Sequence, residues 1–107
     1  MKKNKVFWTL SAKKDLEDII EYISKDSIEI TVEKYEKIKE AAQQLNRYPE
    51  HGRIVPELSD QNIRKYREII ISPWRLMYKT EANIVYVMAV IDGRRNIEDV
   101  LLKRQLR

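Results

Sequence analysis

Apolar positions change their period along this chain. Residues 5–10, KVFWTL, form a short β-branched and aromatic run that reads as a strand. Ser11 then offers a hydroxyl N-cap. The segment after it, AKKDLEDIIEYISK, sets Ala12, Leu16, Ile19, Ile20 and Ile23 on one helical stripe. Asp26 and Ser27 break that helix, and Thr31 is placed to cap a second one. There Val32, Tyr35, Ile38, Ala42 and Leu45 recur every three or four residues and are expected to face inward. Pro49 and Gly52 end it. Because so few residues separate the two helices, they should pack as an antiparallel hairpin.

Beyond Gly52 the period changes from helical to two. YREIII, RLMYKT and IVYVMAVI read as three strands, the last two joined by a tight turn at residues 81–83 in which Asn83 accepts φ > 0. The last strand is apolar on both faces, which predicts an internal position. In the strand at 75–80, Leu76 and Tyr78 point one way and Arg75, Met77 and Lys79 the other. One face should therefore pack on the helical hairpin, leaving a basic, partly open face opposite. The segment NIEDVLLKRQLR predicts a short final helix capped by Asn96, with Ile97, Val100 and Leu101 inward. The fold class is α+β: an N-terminal strand and a helical hairpin on a small twisted antiparallel sheet, with a short C-terminal helix. Residues 49–62 are the longest irregular piece, a length at which loops are often functional.

Composition narrows the chemistry. At 107 residues the chain has room for one core, so a single domain over 1–107 is expected. There is no cysteine, which removes disulfides, thiolate metal sites and thiol nucleophiles, and the lone histidine, His51, removes multi-histidine metal sites. No apolar run approaches the ~20 residues that span a bilayer, and the run after the basic N-terminus is too short for a signal peptide. A cytoplasmic location without membrane contact is the expectation, and neither metal nor cofactor is called for.

Charge is unevenly placed: residues 1–60 carry 11 basic and 12 acidic side chains, residues 61–107 carry 10 and 5. The sheet half is the basic half, as expected of a surface meeting an anionic partner. Arg75 opens one strand and Arg94 and Arg95 close another. A guanidinium fork matches two phosphate oxygens, so Arg75 reads either as an anion ligand on an open face or as the ion-pair partner of Glu68. Arg94 and Arg95 read as a solvated strand end or a second anion contact, and Lys103, Arg104 and Arg107 extend the basic character into the tail. His51 reads as a turn residue. Glu57 is the one loop carboxylate considered as a general base, against a plain surface charge.

Taken together, VFWTLSAKKDLEDIIEYI, YPEHGRIVPEL, YREIII, WRLMYKT and VYVMAVIDGRR resemble the RelE/ParE superfamily of type II toxin–antitoxin toxins over nearly the whole chain. The resemblance implies a growth-inhibiting toxin of the kind used in plasmid stabilisation, bound and neutralised by a cognate antitoxin in a toxin–antitoxin hetero-oligomer. It also implies one of two targets. ParE-like members inhibit DNA gyrase, whereas RelE-like members are mRNA interferases that cut mRNA on the ribosome. Cleavage requires a base, charge stabilisation and help for the leaving group. Arg75, Arg67, Arg94 and Glu57 are the residues the resemblance would assign to it. The second lysine and the C-terminal tyrosine of the RelE pattern are absent, Glu68 and Ile69 standing where the lysine is expected. Arginine stays protonated and transfers protons poorly. A set of arginines without a base suits a binding face, for which Arg75, Lys79, Arg94, Arg95, Lys103 and Arg104 are the candidates. The ParE-like reading is therefore preferred.

Overall fold

The computed structural model describes residues 4–104. Strand β1 (Lys5–Trp8) leads into helix α1 (Leu10–Ser24) and helix α2 (Ile28–Gln43), which ends in a 3-10 turn (Gln44–Asn46). A two-residue strand β2 (Arg53–Ile54) and one turn of helix α3 (Pro56–Ser59) follow. Then come β3 (Tyr66–Ile71), β4 (Trp74–Glu81), β5 (Ile84–Asp92) and helix α4 (Ile97–Lys103). The strands form one sheet in the order β1-β5-β4-β3-β2. The last three in chain order pair antiparallel as expected, and β2, which the sequence reading left in the loop 49–62, adds antiparallel to β3. The first adds itself parallel to β5, with Phe7 opposite Tyr86 and Trp8 opposite Val87. As predicted, β5 is internal.

Capping decides where the helices begin, and it differs from the sequence reading at both. Thr9, not Ser11, caps α1: its Oγ1 accepts from the Ala12 N–H at 3.2 Å and donates to the Val87 carbonyl at 2.9 Å. One hydroxyl thus ends the strand and starts the helix, and Leu10, placed in the strand by its hydrophobicity, is exposed in the first turn. Ser27, not Thr31, caps α2, accepting from the Ile30 N–H at 3.2 Å. Thr31 lies a turn inside, buried, bonding back to the Ser27 carbonyl at 2.6 Å. Asn96 caps α4 as predicted, and Glu98, Asp99 and Lys103 suit that helix's dipole.

The inward stripe of α2 is Thr31, Ile38 and Ala42, continued by Leu45. Val32 and Tyr35, expected inside, are 51% and 42% exposed. Together with Ile28 they form a shoulder beside the core stripe, a choice that hydrophobic spacing cannot make because both stripes have helical period.

The hairpin covers one face of the sheet. Ala12, Leu16, Ile38, Ala42 and Leu45 pack there on Leu76, Tyr78, Val85, Val87 and Val90. Val87 and Val90 share that face because β5 carries a bulge: Met77 lies opposite Ala89 and Tyr78 opposite Val87, so Met88 has no partner. The β4–β5 turn holds Ala82 at φ 49° and Asn83 at φ 65°, two left-handed residues as a two-residue hairpin requires.

The opposite face is not the open basic surface expected. Helices α3 and α4 close over its Arg75–Met77 half. Val55 and Leu58 from one side and Ile97, Val100 and Leu101 from the other pack on Tyr66, Met77, Ala89 and Ile91 as a second core. The expectation failed because α3 was hidden in the loop 49–62, where Pro56 at the first helical position starts a turn too short to show a period. Asp15 on α1 fastens α4 at the sheet end, accepting from Arg104 Nη1 at 2.6 Å and from the Val90 N–H at 2.9 Å. Among the described residues, no helix is long and apolar enough to cross a membrane.

Candidate functional site

Arg75 sits on β4 beneath α3, only 8% exposed. Its Nε donates to Glu68 Oε1 at 2.6 Å, and Nη1 and Nη2 donate to the two oxygens of Glu57 at 2.7 Å each. Glu68, on β3 and 1% exposed, uses its second oxygen to accept from Arg53 Nε at 2.7 Å. The result is a chain of alternating charge, Arg53–Glu68–Arg75–Glu57, that joins β2, β3, β4 and α3. The guanidinium fork and both carboxylates are satisfied, as burial demands. Hydrogen bonds from Arg75 hold the Glu57 carboxyl below the usual range, and those from Glu57 and then Glu68 hold the Arg75 guanidinium above its own. Neither group is poised to exchange a proton near neutral pH.

Of the residues weighed for cleavage, only Arg75 and Glu57 meet, and they meet as a closed ion pair. Arg67 points to the other face of the sheet, where its Nη1 donates to the Gly52 carbonyl at 2.8 Å. Beside it the Tyr78 hydroxyl accepts from the Gly52 N–H at 2.9 Å and donates to the Pro49 carbonyl at 2.7 Å. Burial raises the Tyr78 pKa. A Cβ on Gly52 would stand 2.5 Å from the Glu68 carbonyl oxygen, so glycine is required by this close approach. Arg67 and Tyr78 thus tie the loop after α2 to the sheet.

Arg94 follows β5 at the far end. It folds back on Asp92 through Nε at 3.0 Å and Nη2 at 2.6 Å, and pulls that carboxyl down to about 2. Arg94 and Arg95 are exposed and border a groove of about 600 Å³ with Tyr22, Ile30, Lys34 and Trp74. Lys79 lies at the opposite end of β4, paired with Glu81 at 3.2 Å and set 5.9 Å from the Tyr86 ring centroid. Lys103 is exposed on α4, Arg104 is bound to Asp15, and Arg107 lies outside the described residues. His51 is an exposed turn residue. Among the described residues, no three His, Cys, Asp or Glu side chains gather to hold a metal ion.

A feature that the sequence did not reveal lies along the outer edge of β1. There Val6, Phe7 and Trp8, with Leu16 and Ile20 of α1 and Tyr35 of α2, line an apolar groove of about 660 Å³. Lys13, Glu17, Glu21 and Lys39 rim it, the Lys39 ammonium lying 4.8 Å from the Trp8 ring centroid. The misplaced inward assignment of Tyr35 concealed it. The strand edge itself is open, since β1 pairs on one side only.

Comparison with known proteins agrees with this architecture. Residues 6–97 match the family described as the ParE toxin of the type II toxin–antitoxin system parDE. Among solved structures, the chromosomal ParDE TA system from P. aeruginosa superposes with a TM-score of 0.69 at 16% identity, over 86% of this chain and 98% of that one. No curated protein sequence matches.

Proposed function

Because the chain belongs to the ParE toxin family of type II toxin–antitoxin systems, we propose that this toxin arrests growth by binding DNA gyrase in the cytoplasm, and that it does not cleave message. The observation that carries this reading is the closed Arg53–Glu68–Arg75–Glu57 chain. A nuclease would need the arginine free to meet a phosphate and the glutamate free to take a proton. Here Glu57 and Glu68 together saturate the buried guanidinium, and Arg75 occupies both oxygens of Glu57. The exposed cations, Arg94 and Arg95 at one end of the sheet and Lys103 on α4, serve as contacts to the target.

Purified toxin should inhibit gyrase supercoiling and accumulate gyrase–DNA cleavage complexes, while message in a translating extract stays intact. Ribosome-dependent cuts with gyrase unaffected would overturn the proposal in favour of an mRNA interferase.

The antitoxin, on this reading, silences the toxin by laying an amphipathic segment in the groove between β1 and the helical hairpin. An open strand edge accepts an added strand, and an apolar groove accepts the apolar face of a helix. Phe7→Glu with Tyr35→Glu, both in the groove lining, should leave thermal stability nearly unchanged, since both side chains are exposed. The same pair should weaken antitoxin binding by at least about 100-fold, the loss expected of two central contacts. Undiminished binding in a titration calorimeter would place the antitoxin elsewhere.

A further inference from the structure

The sheet ends in two strands that treat their free edges differently. On one side β2 is two residues long, and helix α3 begins two residues after it with Pro56. On the other, β1 has neither a proline nor a charge over Val6–Trp8, the devices that keep an edge from pairing. Alternate residues of β1 turn their backbone groups toward β5. The Lys5 N–H donates to the Asn83 carbonyl and the Thr9 N–H to the Val87 carbonyl, each at 3.1 Å. The N–H and C=O groups of Val6 and Trp8 therefore point away from the sheet. The Asn4 N–H, next in that outward set, is already given to the Asn46 carbonyl at 2.8 Å, and beyond Thr9 the chain is helical. The open edge is thus a window of Val6, Phe7 and Trp8.

That window matches its own sequence in reverse. In an antiparallel pair, outward-pointing residues must meet outward-pointing residues. With Phe7 set opposite the Phe7 of a second copy, Val6 meets Trp8 and Trp8 meets Val6, each pair exchanging two backbone hydrogen bonds. Centring on Val6 would set Trp8 against the committed Asn4, and centring on Trp8 would set Val6 against the helical Leu10. In the favoured register the two Phe7 residues form the central non-hydrogen-bonded pair, the closer of the two antiparallel spacings. Phe7 is 53% exposed, and it meets Tyr86 edge-on, with ring centroids 5.8 Å apart and planes at 71°. Lys5 would stand opposite Thr9, so no like charges oppose each other.

The groove on the hairpin side of this edge shows the same balance. Its rim holds Lys13, Glu17, Glu21 and Lys39, and among the described residues none of the four makes an ion pair within the chain. Two cations and two anions carry no net charge that would select an acidic or a basic partner. On an identical rim, each sign finds its opposite. A two-fold axis between the two Phe7 residues, perpendicular to the sheet, leaves both helical hairpins on one side, so the two grooves abut. We propose that the toxin, when free of antitoxin, pairs with a second copy of itself edge to edge through β1, joining the two sheets into one. The antitoxin segment proposed above would take the same edge, so self-pairing and neutralisation exclude each other.

Sedimentation equilibrium of the whole toxin, purified away from antitoxin, tests this with no other protein present. Wild type should sediment at twice 12.9 kDa. Val6→Pro should weaken the pair by about tenfold or more, since it removes one outward N–H donor from each copy, and an edge strand tolerates proline at such a position. Phe7→Glu and Phe7→Lys should each be monomeric, because like charges then face each other across the axis. An equimolar mixture of the two should regain the doubled mass, a pattern that requires residue 7 to meet itself. Thermal unfolding of each variant confirms its fold. A wild type that sediments as a single chain at every concentration would overturn the proposal. So would a dimer that persists in Phe7→Glu, or a mixture that stays monomeric beside a dimeric wild type. Neither gyrase nor antitoxin enters the assay, so its failure would leave both of those readings standing.

Discussion

The two faces of the sheet are cores of different kinds. On the hairpin side, apolar side chains from helices and strands interlock around Ile38, Leu45, Leu76 and the ring of Tyr78, all fully buried. That face is held by burial of apolar area, which is non-directional and indifferent to pH. The opposite face is part apolar, around Met77, Ile91 and Leu101, and part ionic, around Arg75 and Glu68. Its ionic part is directional, since removing one member leaves a buried neighbour with one of its charged partners missing. The same β4 strand serves both faces, so alternate residues of one short sequence are stabilised by unlike physics. An arginine at a position that reads as functional can therefore be a structural rivet.

The sharpest way to break this comparison is Arg75→Ala. It takes from the buried Glu68 its buried partner, leaving only the exposed Arg53, and should destabilise the fold by about 3–5 kcal/mol, more than loss of packing alone would suggest for a strand-end residue. Urea unfolding at pH 7 measures it, and a loss below about 1 kcal/mol would show that the ion chain is incidental.

Glu57→Gln gives a smaller effect with a pH signature. The folded-state carboxyl is held below the ordinary value of 4.5 by Arg75. Its stabilising contribution is therefore fully present above that value and is lost as pH falls through the folded pKa. Wild type and variant should differ by about 1–2 kcal/mol at neutral pH, and the gap should close on acidification below about pH 4.5. An apolar truncation such as Ile38→Val should cost about 0.5–1.5 kcal/mol at every pH. A gap for Glu57→Gln that persisted into strong acid would contradict the ion-pair account.

The smallest expected effect separates the capping assignments. Thr9→Ala should cost about 1 kcal/mol by removing the cap of α1, whereas Ser11→Ala should be nearly neutral. Equal costs in thermal unfolding would mean that the hydroxyl of Thr9 does not set the start of the helix.

Much of the architecture was legible before any coordinates, because periodicity reports on local geometry. The stripe Ala12–Leu16–Ile19–Ile20–Ile23, the three strands after Gly52, the left-handed Asn83 and the cap at Asn96 all follow from contacts spanning a few residues. Leu76 and Tyr78 were assigned correctly to the hairpin face by alternation alone. The pairing of Arg75 with Glu68 was one of two readings open at that stage, and strand register brought the two together.

What periodicity could not supply was any choice made by distant parts of the chain. Whether α2 buries Tyr35 or leaves it at a groove depends on where α1 and β1 lie against it. The parallel seat of β1 beside β5 joins Phe7 to Tyr86 across most of the sequence, and the clamp from Asp15 to Arg104 spans 89 positions. The burial of Arg75 required α3, four residues with no period of their own, to bring Glu57 over the sheet. The chain's amino acids determined its helices, its strands and its excess of cations, since those depend on neighbours along the backbone. Which cations became ion pairs in a core and which remained free for a partner was decided only by tertiary packing, because a charge's role depends on what approaches it through space.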